Sequence, residues 1–174
     1  VPDLSYIESA TNAIRNHVRP GNLVILESTS PVGATEKVAE WLNMDNVLIA
    51  HCPERVLPGK IMRELVENDR IVGGIDQEST RVASEFYESF VSGKVLQTDA
   101  RTAEMAKLTE NAFRDVNIAF ANELSIICEK LEINVWELIR LANRHPRVNI
   151  LQPGPGVGGH CIAVDPWCIL IRTP

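Results

Sequence analysis

The sequence predicts an α/β fold in which part of a doubly wound parallel sheet is followed by a long-helix domain. Short apolar runs rich in branched residues alternate with segments of helical periodicity in the first half of the chain. Such alternation is typical of parallel sheets. From about Arg101 onward only helical periodicity remains. We therefore predict an α/β domain over residues 1–98 and a helical domain over residues 99–174, with the boundary near Thr98.

Four strands are predicted from apolar runs that are bounded by polar or turn-forming residues. They are Leu23–Leu26, Val47–Ala50, Ile71–Gly74 and Lys94–Gln97. Runs this short suit strands that are covered on both faces of a sheet. The first run is followed by the polar segment Glu27–Pro31, and open parallel sheets bind their ligands at this end of a strand.

Five helices are predicted from apolar residues at helical spacing. One precedes the first strand, at Leu4–His17, and two lie between strands, at Gly33–Trp41 and Gln77–Val91. A long helix runs from Arg101 to Leu131, and another begins after Asn134 as its N-cap and ends before Pro146. A loop rich in proline and glycine follows at Gln152–Gly159.

Composition predicts a folded globular protein. The chain has 174 residues, of which 45% are apolar and 23% charged, within the ordinary range of such proteins. Its net charge of −6 argues against binding to nucleic acid or acidic lipid. No apolar run approaches the ~20 residues that a membrane helix needs, and no signal peptide pattern opens the sequence. We expect a cytoplasmic location, with Cys52, Cys128, Cys161 and Cys168 as free thiols.

Gly154–Gly159 satisfies the G-x-G-x-x-G spacing of a dinucleotide-binding turn. That motif works only between a strand and the N-terminus of a helix. Here it follows residues 149–153, which do not resemble a strand, and it runs into His160 and Cys161. We therefore interpret Gly158 and Gly159 as residues that let the chain approach a ligand closely because they carry no side chain.

Cys161 is the strongest candidate for a nucleophile. A lone cysteine is most often a small buried apolar residue, and this interpretation suits the other three cysteines. Cys161 differs because it lies on a glycine-rich loop, next to His160 and four residues before Asp165. Partial exposure and titratable neighbours favour a reactive thiolate.

Two other uses of the His–Cys pairs are weaker hypotheses. His51-Cys52 and His160-Cys161 would supply two nitrogen and two sulfur ligands to zinc, but adjacent side chains point in divergent directions. A hydrolase with Cys161 as nucleophile and His160 as base has the same weakness. We expect no metal site.

Lys107, Asn111 and Arg114 are spaced to lie on one face of the long helix. Alone, this pattern indicates a solvated polar stripe. A cation and an amide one turn apart can also stabilise an oxyanion or position a water, as chemistry at a carbonyl requires. Basic residues that can hold a pyrophosphate or sugar also lie in predicted loops, at Arg55, His145 and Arg147.

Four segments then stand out together: Glu27–Gly33, Cys52–Gly59, Lys107–Asn111 and Gly158–Pro166. In this order they resemble the motifs of the UDP-glucose/GDP-mannose dehydrogenase family, and the resemblance extends over essentially the whole chain. Three further features look most like the branch of this family that acts on UDP-N-acetyl-mannosamine. They are the sequence Arg-Val-Leu-Pro-Gly at residues 55–59, His160, and the segment Arg144–Arg147.

The resemblance implies a Rossmann-like NAD domain and two successive NAD-dependent oxidations of a UDP-N-acetylhexosamine, from the C6 alcohol to the carboxylate, in the synthesis of bacterial surface polysaccharide precursors. Cys161 would add to the aldehyde to give a thiohemiacetal, whose oxidation leaves a thioester for water to hydrolyse. A thiol suits this task because hydride can leave only from a tetrahedral carbon, which covalent addition recreates. A homodimer through the long helix is also implied.

The resemblance further implies roles for individual residues. The implied catalytic residues are Cys161, Lys107 as acid/base or oxyanion partner, Asn111 at the oxyanion or a water, Asp165 at the hydrolytic water, and Glu54 as a candidate for the same work. The implied substrate contacts are Arg55, Val56, Lys107, Asn111, Arg114, His145, Arg147 and Gly158. Thr29 would lie near the nicotinamide.

The sequence also departs from the family pattern. Members open with a strand, a glycine fingerprint and a helix that hold the NAD pyrophosphate, and close with a domain that binds the UDP part. Because both are missing here, we expect the chain alone to bind NAD poorly and to be inactive. The joins near Asn43–Asp45 and Leu170–Ile171 look shorter than in the family, which indicates omitted loops.

Two other functions stay open. One is a non-catalytic interaction module that uses the broad apolar face of the long helix. The other is a 6-dehydrogenase for UDP-glucose or UDP-N-acetyl-glucosamine, since a few contacts could change the sugar that is used.

Overall fold

A computed structural model describes residues 3–57, 59–158, 162 and 164–170 of the chain. Four strands and seven helices lie in these ranges: α1 Ser5–Arg15, β1 Leu23–Leu26, α2 Ala34–Leu42, β2 Leu48–His51, α3 Ile61–Glu67, β3 Arg70–Gly74, α4 Gln77–Glu88, β4 Val95–Asp99, α5 Ala100–Lys130, α6 Val135–Ala142 and α7 Asp165–Leu170. This confirms the predicted strands and five predicted helices to within a few residues. The short helices α3 and α7 were not predicted.

The four strands form one sheet in the order β1-β2-β3-β4. β1 pairs with β2 in parallel from Leu23 opposite Leu48 onward, and β3 pairs with β4 in parallel. The pair β2 and β3 is antiparallel, through Ala50 opposite Gly74 and His51 opposite Gly73. The predicted α/β class with a Rossmann-like sheet is confirmed, and the β2–β3 pair is the one place where the strands are not parallel among the described residues.

The connection between β2 and β3 explains the antiparallel pair. A parallel connection needs a crossover helix that packs on the sheet. The helix in this connection, α3, has no buried residue and therefore does not cover the sheet. The chain instead reverses direction, so that β3 starts beside the C-terminal end of β2.

Two apolar clusters cover the opposite faces of the sheet. Neighbouring residues of β2 point to opposite faces, so Ile49 packs in one cluster and Ala50 in the other. The first cluster contains residues of α2 and β2 and of the segments beside them, namely Val18, Val38, Leu42, Val47 and Ile49. The second contains residues of β2, β3 and α4 and of the segments that follow β2 and α4, namely Ala50, Cys52, Val72, Ala83, Tyr87 and Val91. The sheet is therefore covered on both faces, as the apolar runs predict.

The chain divides into two compact units. One is Val1–Leu108 with Cys168–Pro174, and the other is Thr109–Trp167. The division between the units falls inside α5, between Leu108 and Thr109, whereas the sequence pattern places the boundary near Thr98, at the start of that helix. The domain boundary at residues 98 and 99 stays a prediction.

The second unit contains most of α5 and all of α6. Asn134 caps α6 as predicted, because its Oδ1 accepts hydrogen bonds from the N–H groups of Trp136 and Glu137 at 3.0 and 3.2 Å. Within the parts of the chain that the structure describes, no helix combines the length and apolarity that a membrane span requires.

Candidate functional site

The second unit brings two of the predicted catalytic residues together. Nδ2 of Asn111, on α5, donates a 2.5 Å hydrogen bond to Oδ2 of Asp165, the first residue of α7. Both side chains are buried, with exposed fractions of 5% and 7%. A charge-assisted bond of this kind holds a carboxylate in one orientation. Cys161, Gly159 and His160 lie outside the described residues.

The other predicted substrate contacts of this unit lie on its surface. Arg114, one turn after Asn111 on α5, is exposed, as are His145 and Arg147 in the segment after α6. The backbone N–H of Arg147 donates to Nδ1 of His145 at 3.3 Å, so the two residues share one turn. Gly158 is exposed, and a Cβ at this position would meet open space.

In the first unit, Glu54 organises the segment that follows β2. Its Oε1 accepts hydrogen bonds from the N–H groups of Arg55 and Val56, at 2.6 and 2.9 Å. Nη1 of Arg70 lies 3.5 Å from the same oxygen. The Glu54 carboxylate therefore fixes the backbone of both predicted substrate contacts, and about a third of its side chain, 37%, stays exposed.

Arg70 is a functional candidate that sequence reasoning missed. Its side chain is only 1% exposed, Nη2 donates to the carbonyl oxygen of Leu65 at 3.1 Å, and the guanidinium lies 5.6 Å from the centre of the Tyr87 ring. Tyr87 in turn donates a 2.6 Å hydrogen bond to Glu27, and burial raises the pKa of the Tyr87 hydroxyl. A buried arginine at the start of a strand has no periodic signature, so only its partners reveal it.

Glu104 is a second residue that the sequence did not reveal. Its buried carboxylate accepts hydrogen bonds from Gly33 N–H at 2.6 Å, Thr35 N–H at 2.7 Å and the Thr35 hydroxyl at 2.6 Å. Gly33, the N-cap of α2, has no side chain that could satisfy these groups. Glu104 therefore caps α2 from α5. Lys107, a predicted catalytic residue, is half-buried one turn further along α5.

The N-terminus of α2 shows how well the first unit could hold the pyrophosphate of NAD. The N-terminus of a helix after a strand is a ready site for a pyrophosphate, but the N–H groups of the first turn of α2 already bind the Glu104 carboxylate. A phosphate would meet a negative charge there. Thr29, which the resemblance places near the nicotinamide, is half-buried in the loop after β1.

The structure of the described part of the glycine-rich loop supports the prediction that this loop is not a dinucleotide-binding turn. Residues 149–154 form neither strand nor helix, residues 155–157 form bends, and among the described residues that follow the loop no helix starts before Asp165. The motif therefore lacks the strand that would have to precede it.

Two buried residues at the end of β2 have shifted pKa values. Burial raises the pKa of the Cys52 thiol to about 11, which keeps the thiol protonated and unreactive. Burial lowers the pKa of His51 to about 4. Neither ring nitrogen of His51 has a hydrogen-bond partner of good geometry among the described residues, and the nearby Leu26 backbone offsets the effect of burial only in part. No group of three or more metal-binding side chains was found in the ranges that the structure describes.

Comparisons with known proteins match both halves of the chain to one family. Residues 1–91 match the NAD binding domain of the UDP-glucose/GDP-mannose dehydrogenase family, and residues 101–173 match its central domain. Among curated proteins, a UDP-N-acetyl-D-mannosamine dehydrogenase of Campylobacter jejuni is 63% identical over 187 residues, covering 99% of this chain and 46% of the relative. An NDP-N-acetyl-D-galactosaminuronic acid dehydrogenase of Ralstonia nicotianae is 62% identical, covering 99% of the chain and 44% of the relative.

Solved structures give the same result. A UDP-D-ManNAc dehydrogenase from Pyrococcus horikoshii superposes with a TM-score of 0.93 at 48% identity, covering 98% of this chain and 43% of that one. A UDP-glucose dehydrogenase from Pyrobaculum islandicum superposes with a TM-score of 0.82 at 27% identity, covering 98% and 41%.

The chain thus spans less than half the length of these relatives. The curated matches extend over 187 residues, more than the 174 of the chain, so the relatives hold residues inside the matched region that this chain lacks. Shortened joins would produce this difference, and their positions stay a prediction. Since the two domain matches together cover nearly all of its residues, the chain belongs to the UDP-glucose/GDP-mannose dehydrogenase family.

Proposed function

We propose that this chain supplies catalytic residues of an NAD-dependent UDP-sugar 6-dehydrogenase that oxidises UDP-N-acetyl-mannosamine to UDP-N-acetyl-mannosaminuronate. The observation that carries the proposal is the buried hydrogen bond between Asn111 and Asp165. It joins two side chains for which the family resemblance implies roles at the carbonyl and at the hydrolytic water. Relatives named UDP-N-acetyl-D-mannosamine dehydrogenase at 59–63% identity support the choice of reaction.

Cys161 provides the covalent step in this proposal. Its sulfur adds to C6 of the aldehyde, a C–S bond forms, and the carbonyl oxygen takes up a proton, so that the carbon becomes tetrahedral and again carries a hydrogen that can leave as hydride. Loss of that hydride, together with loss of the hydroxyl proton to the proposed acid/base Lys107, gives a thioester. NAD⁺, when bound, accepts one hydride in each of the two oxidations.

Hydrolysis completes the reaction. Water attacks the thioester carbon, the C–S bond breaks, and the products are the carboxylate and the free thiol of Cys161. Asp165 is suited to accept a proton from this water, because Asn111 holds its carboxylate in a fixed orientation. Asn111 keeps a second N–H that can donate to the oxyanion and an amide oxygen that can accept a hydrogen bond from the water. Lys107 is proposed as the acid/base partner.

The remaining residues are proposed as contacts to the ligands. Arg55 and Val56 are held by the Glu54 carboxylate, which supports a positioning role for Glu54 beside its proposed catalytic one. The proposed substrate contacts in the second unit are Arg114, His145, Arg147 and Gly158. Thr29 is proposed to lie near the nicotinamide. The whole enzyme is proposed to be cytoplasmic and to make precursors of bacterial surface polysaccharide.

The choice of sugar rests on sequence motifs that resemble one branch of the family. Relatives with nearly equal identity carry different substrate names, at 63% for UDP-N-acetyl-D-mannosamine and 62% for NDP-N-acetyl-D-galactosaminuronic acid. UDP-N-acetyl-mannosamine is preferred because of Arg55–Gly59 and Arg144–Arg147. UDP-glucose and UDP-N-acetyl-glucosamine remain the alternatives.

A transplant into a full-length relative tests the function. This chain replaces the matching region of the Campylobacter jejuni relative, and NADH is measured with UDP-N-acetyl-mannosamine, with its galactosamine and glucosamine counterparts, and with UDP-glucose. We expect two NADH per UDP-N-acetyl-mannosamine, and loss of this stoichiometry in Cys161→Ser. Two NADH per sugar from the Cys161→Ser variant would refute the cysteine mechanism, and preference for another sugar would correct the substrate. The chain alone should form no NADH.

A self-association surface on α5 is proposed as well. Phe113, Val116 and Phe120 are exposed by 67%, 65% and 51%, and their spacing places them on one side of the helix. This side is opposite to that of Asn111. A contiguous exposed apolar stripe is typical of a protein–protein interface, and we propose that it forms the homodimer.

A further inference from the structure

Arg70 is a buried cation beside the segment that follows β2. It is the first residue of β3, and its side chain is only 1% exposed. Nη2 donates to the carbonyl oxygen of Leu65 at 3.1 Å, whereas Nε and Nη1 have no hydrogen-bond partner of good geometry among the described residues. Arginine stays charged inside a protein, and a buried charge is costly unless an opposite charge compensates it.

Glu54 supplies the compensating charge. Among the described residues, its carboxylate is the one within ion-pair distance of Arg70, with Nη1 3.5 Å from Oε1. The same oxygen accepts the hydrogen bonds of Arg55 N–H and Val56 N–H, at 2.6 and 2.9 Å. All three contacts reach Oε1, and no described residue donates to Oε2. Since 37% of the Glu54 side chain is exposed, Oε2 can still accept a hydrogen bond from a water or a ligand.

Tyr87 restricts the other side of Arg70. The guanidinium lies 5.6 Å from the centre of the Tyr87 ring, within the range of a cation–π interaction. Tyr87 is itself buried, and its hydroxyl donates to Glu27 at 2.6 Å. Together with the bond to Leu65, these contacts leave the guanidinium little freedom. A cation fixed in this way restricts a carboxylate more than a mobile surface lysine would.

We propose that Arg70 is a positioning residue for Glu54. Its guanidinium holds Oε1 towards the backbone of Arg55 and Val56, so that Oε2 is the oxygen that faces outwards. The inference rests on the proposed function only in that Glu54 is a candidate to accept a proton from the hydrolytic water. Without Arg70, the carboxylate rotates more freely and spends part of its time away from the Val56 N–H.

Amide hydrogen exchange of the whole 174-residue chain, followed by NMR, tests the inference without a ligand. The Val56 amide reports the position of the carboxylate because it donates to Oε1. Arg70→Met removes the charge and keeps an unbranched side chain. We expect the Val56 amide to exchange about ten-fold faster in this variant, as loss of one charge-assisted contact allows. Tyr87→Phe is the matched control, since it removes the hydroxyl bond to Glu27 and keeps the ring, and it should exchange at the wild-type rate.

A double-variant cycle separates positioning from general support of the fold. In Glu54→Ala the Val56 N–H has lost its acceptor, so the addition of Arg70→Met should not change its exchange rate further. A purely structural role of Arg70 would accelerate exchange in both backgrounds. That result would overturn the inference, as would an unchanged Val56 rate in Arg70→Met or a parallel acceleration at the amide of the fully buried Ala83.

Glu54→Gln tests the same contact from its half-exposed side and keeps the inference testable if Arg70→Met does not fold. Glutamine retains an acceptor oxygen for the Val56 N–H but lacks the charge that Arg70 attracts. We expect the Val56 amide to exchange about three-fold faster in this variant, because the pair is partly exposed. A wild-type rate would show that attraction to Arg70 does not position the carboxylate.

Activity of the transplant into the Campylobacter jejuni relative separates this inference from the proposed function. Arg70→Met and Glu54→Gln should each lower kcat with little change in KM, and the double variant should be no slower than Glu54→Gln alone. Additive losses would count against the positioning role. A wild-type transplant that forms no NADH would remove the proposed function, whereas the exchange cycle at Val56 keeps its meaning in either case.

Discussion

The side-chain amide of Asn111 donates a 2.5 Å hydrogen bond to Asp165, 54 positions further along the chain. Both groups are buried, and a buried carboxylate is costly unless it is hydrogen-bonded. The pair therefore joins the two ends of the second unit and gives the Asp165 carboxylate a defined direction.

Reversing this pair tests the direction of the hydrogen bond. Asn111→Asp places two buried carboxylates in contact, and we expect the free energy of unfolding to fall by about 2 kcal/mol at pH 7. The double variant Asn111→Asp/Asp165→Asn restores a donor opposite an acceptor and should recover most of this loss. Urea unfolding measures both. A double variant that is no more stable than Asn111→Asp would show that the bond contributes little.

Glu104 should stabilise the first unit by capping α2 from α5. Glu104→Gln puts an NH₂ group where a carboxylate oxygen accepts backbone N–H groups, and we expect a loss of about 3 kcal/mol in the free energy of unfolding. Thr35→Val removes only the hydroxyl bond to Glu104 and should cost about 1 kcal/mol. Glu129→Gln, at an exposed position of the same helix, is the control. Equal stability of Glu104→Gln and this control would contradict the capping role.

His51 should make stability depend on pH in a defined window. Burial lowers its pKa from 6.5 to about 4, so between these values the unfolded state binds a proton that the folded state does not. Stability is therefore complete above pH 6.5 and falls as the pH decreases towards 4, by about 3 kcal/mol from this residue.

The substitution His51→Leu should remove this part of the pH dependence. Urea unfolding at intervals between pH 7 and pH 4 gives the slope for each variant. His17→Gln, at an exposed histidine, should keep the wild-type slope. If His51→Leu loses stability with decreasing pH as steeply as the wild type, other groups cause the effect.

The apolar stripe on α5 should hold two copies together. Val116, which is 65% exposed, lies in this stripe, and Val116→Lys places a charge that a buried interface would have to desolvate. We expect a dimer in the wild type and a monomer in Val116→Lys by light scattering, with unchanged helix content by circular dichroism. Glu129→Lys, on the opposite side of the helix, should leave the dimer intact. A monomeric wild type would remove the proposed interface.

The sequence alone determined the local elements of this protein and the family to which it belongs. Short apolar runs predicted the four strands, because a strand that is covered on both faces is apolar throughout, and the repeat of 3.6 residues predicted the helix α5. The motifs around Lys107, Asn111 and Asp165 identified the family because their residue types and order are specific. The helix α3 escaped prediction since it buries no residue and so has no apolar face to detect.

Only the tertiary structure decided which distant residues meet. The antiparallel pairing of β2 and β3, the cap of α2 by Glu104, the contact of Arg70 with Glu54 and the bond between Asn111 and Asp165 all join separate segments. Each depends on a few hydrogen bonds or charges between groups that lie far apart in the sequence. Such contacts leave no periodic pattern in a sequence, because their partners are selected by the path of the folded chain and not by neighbouring residues.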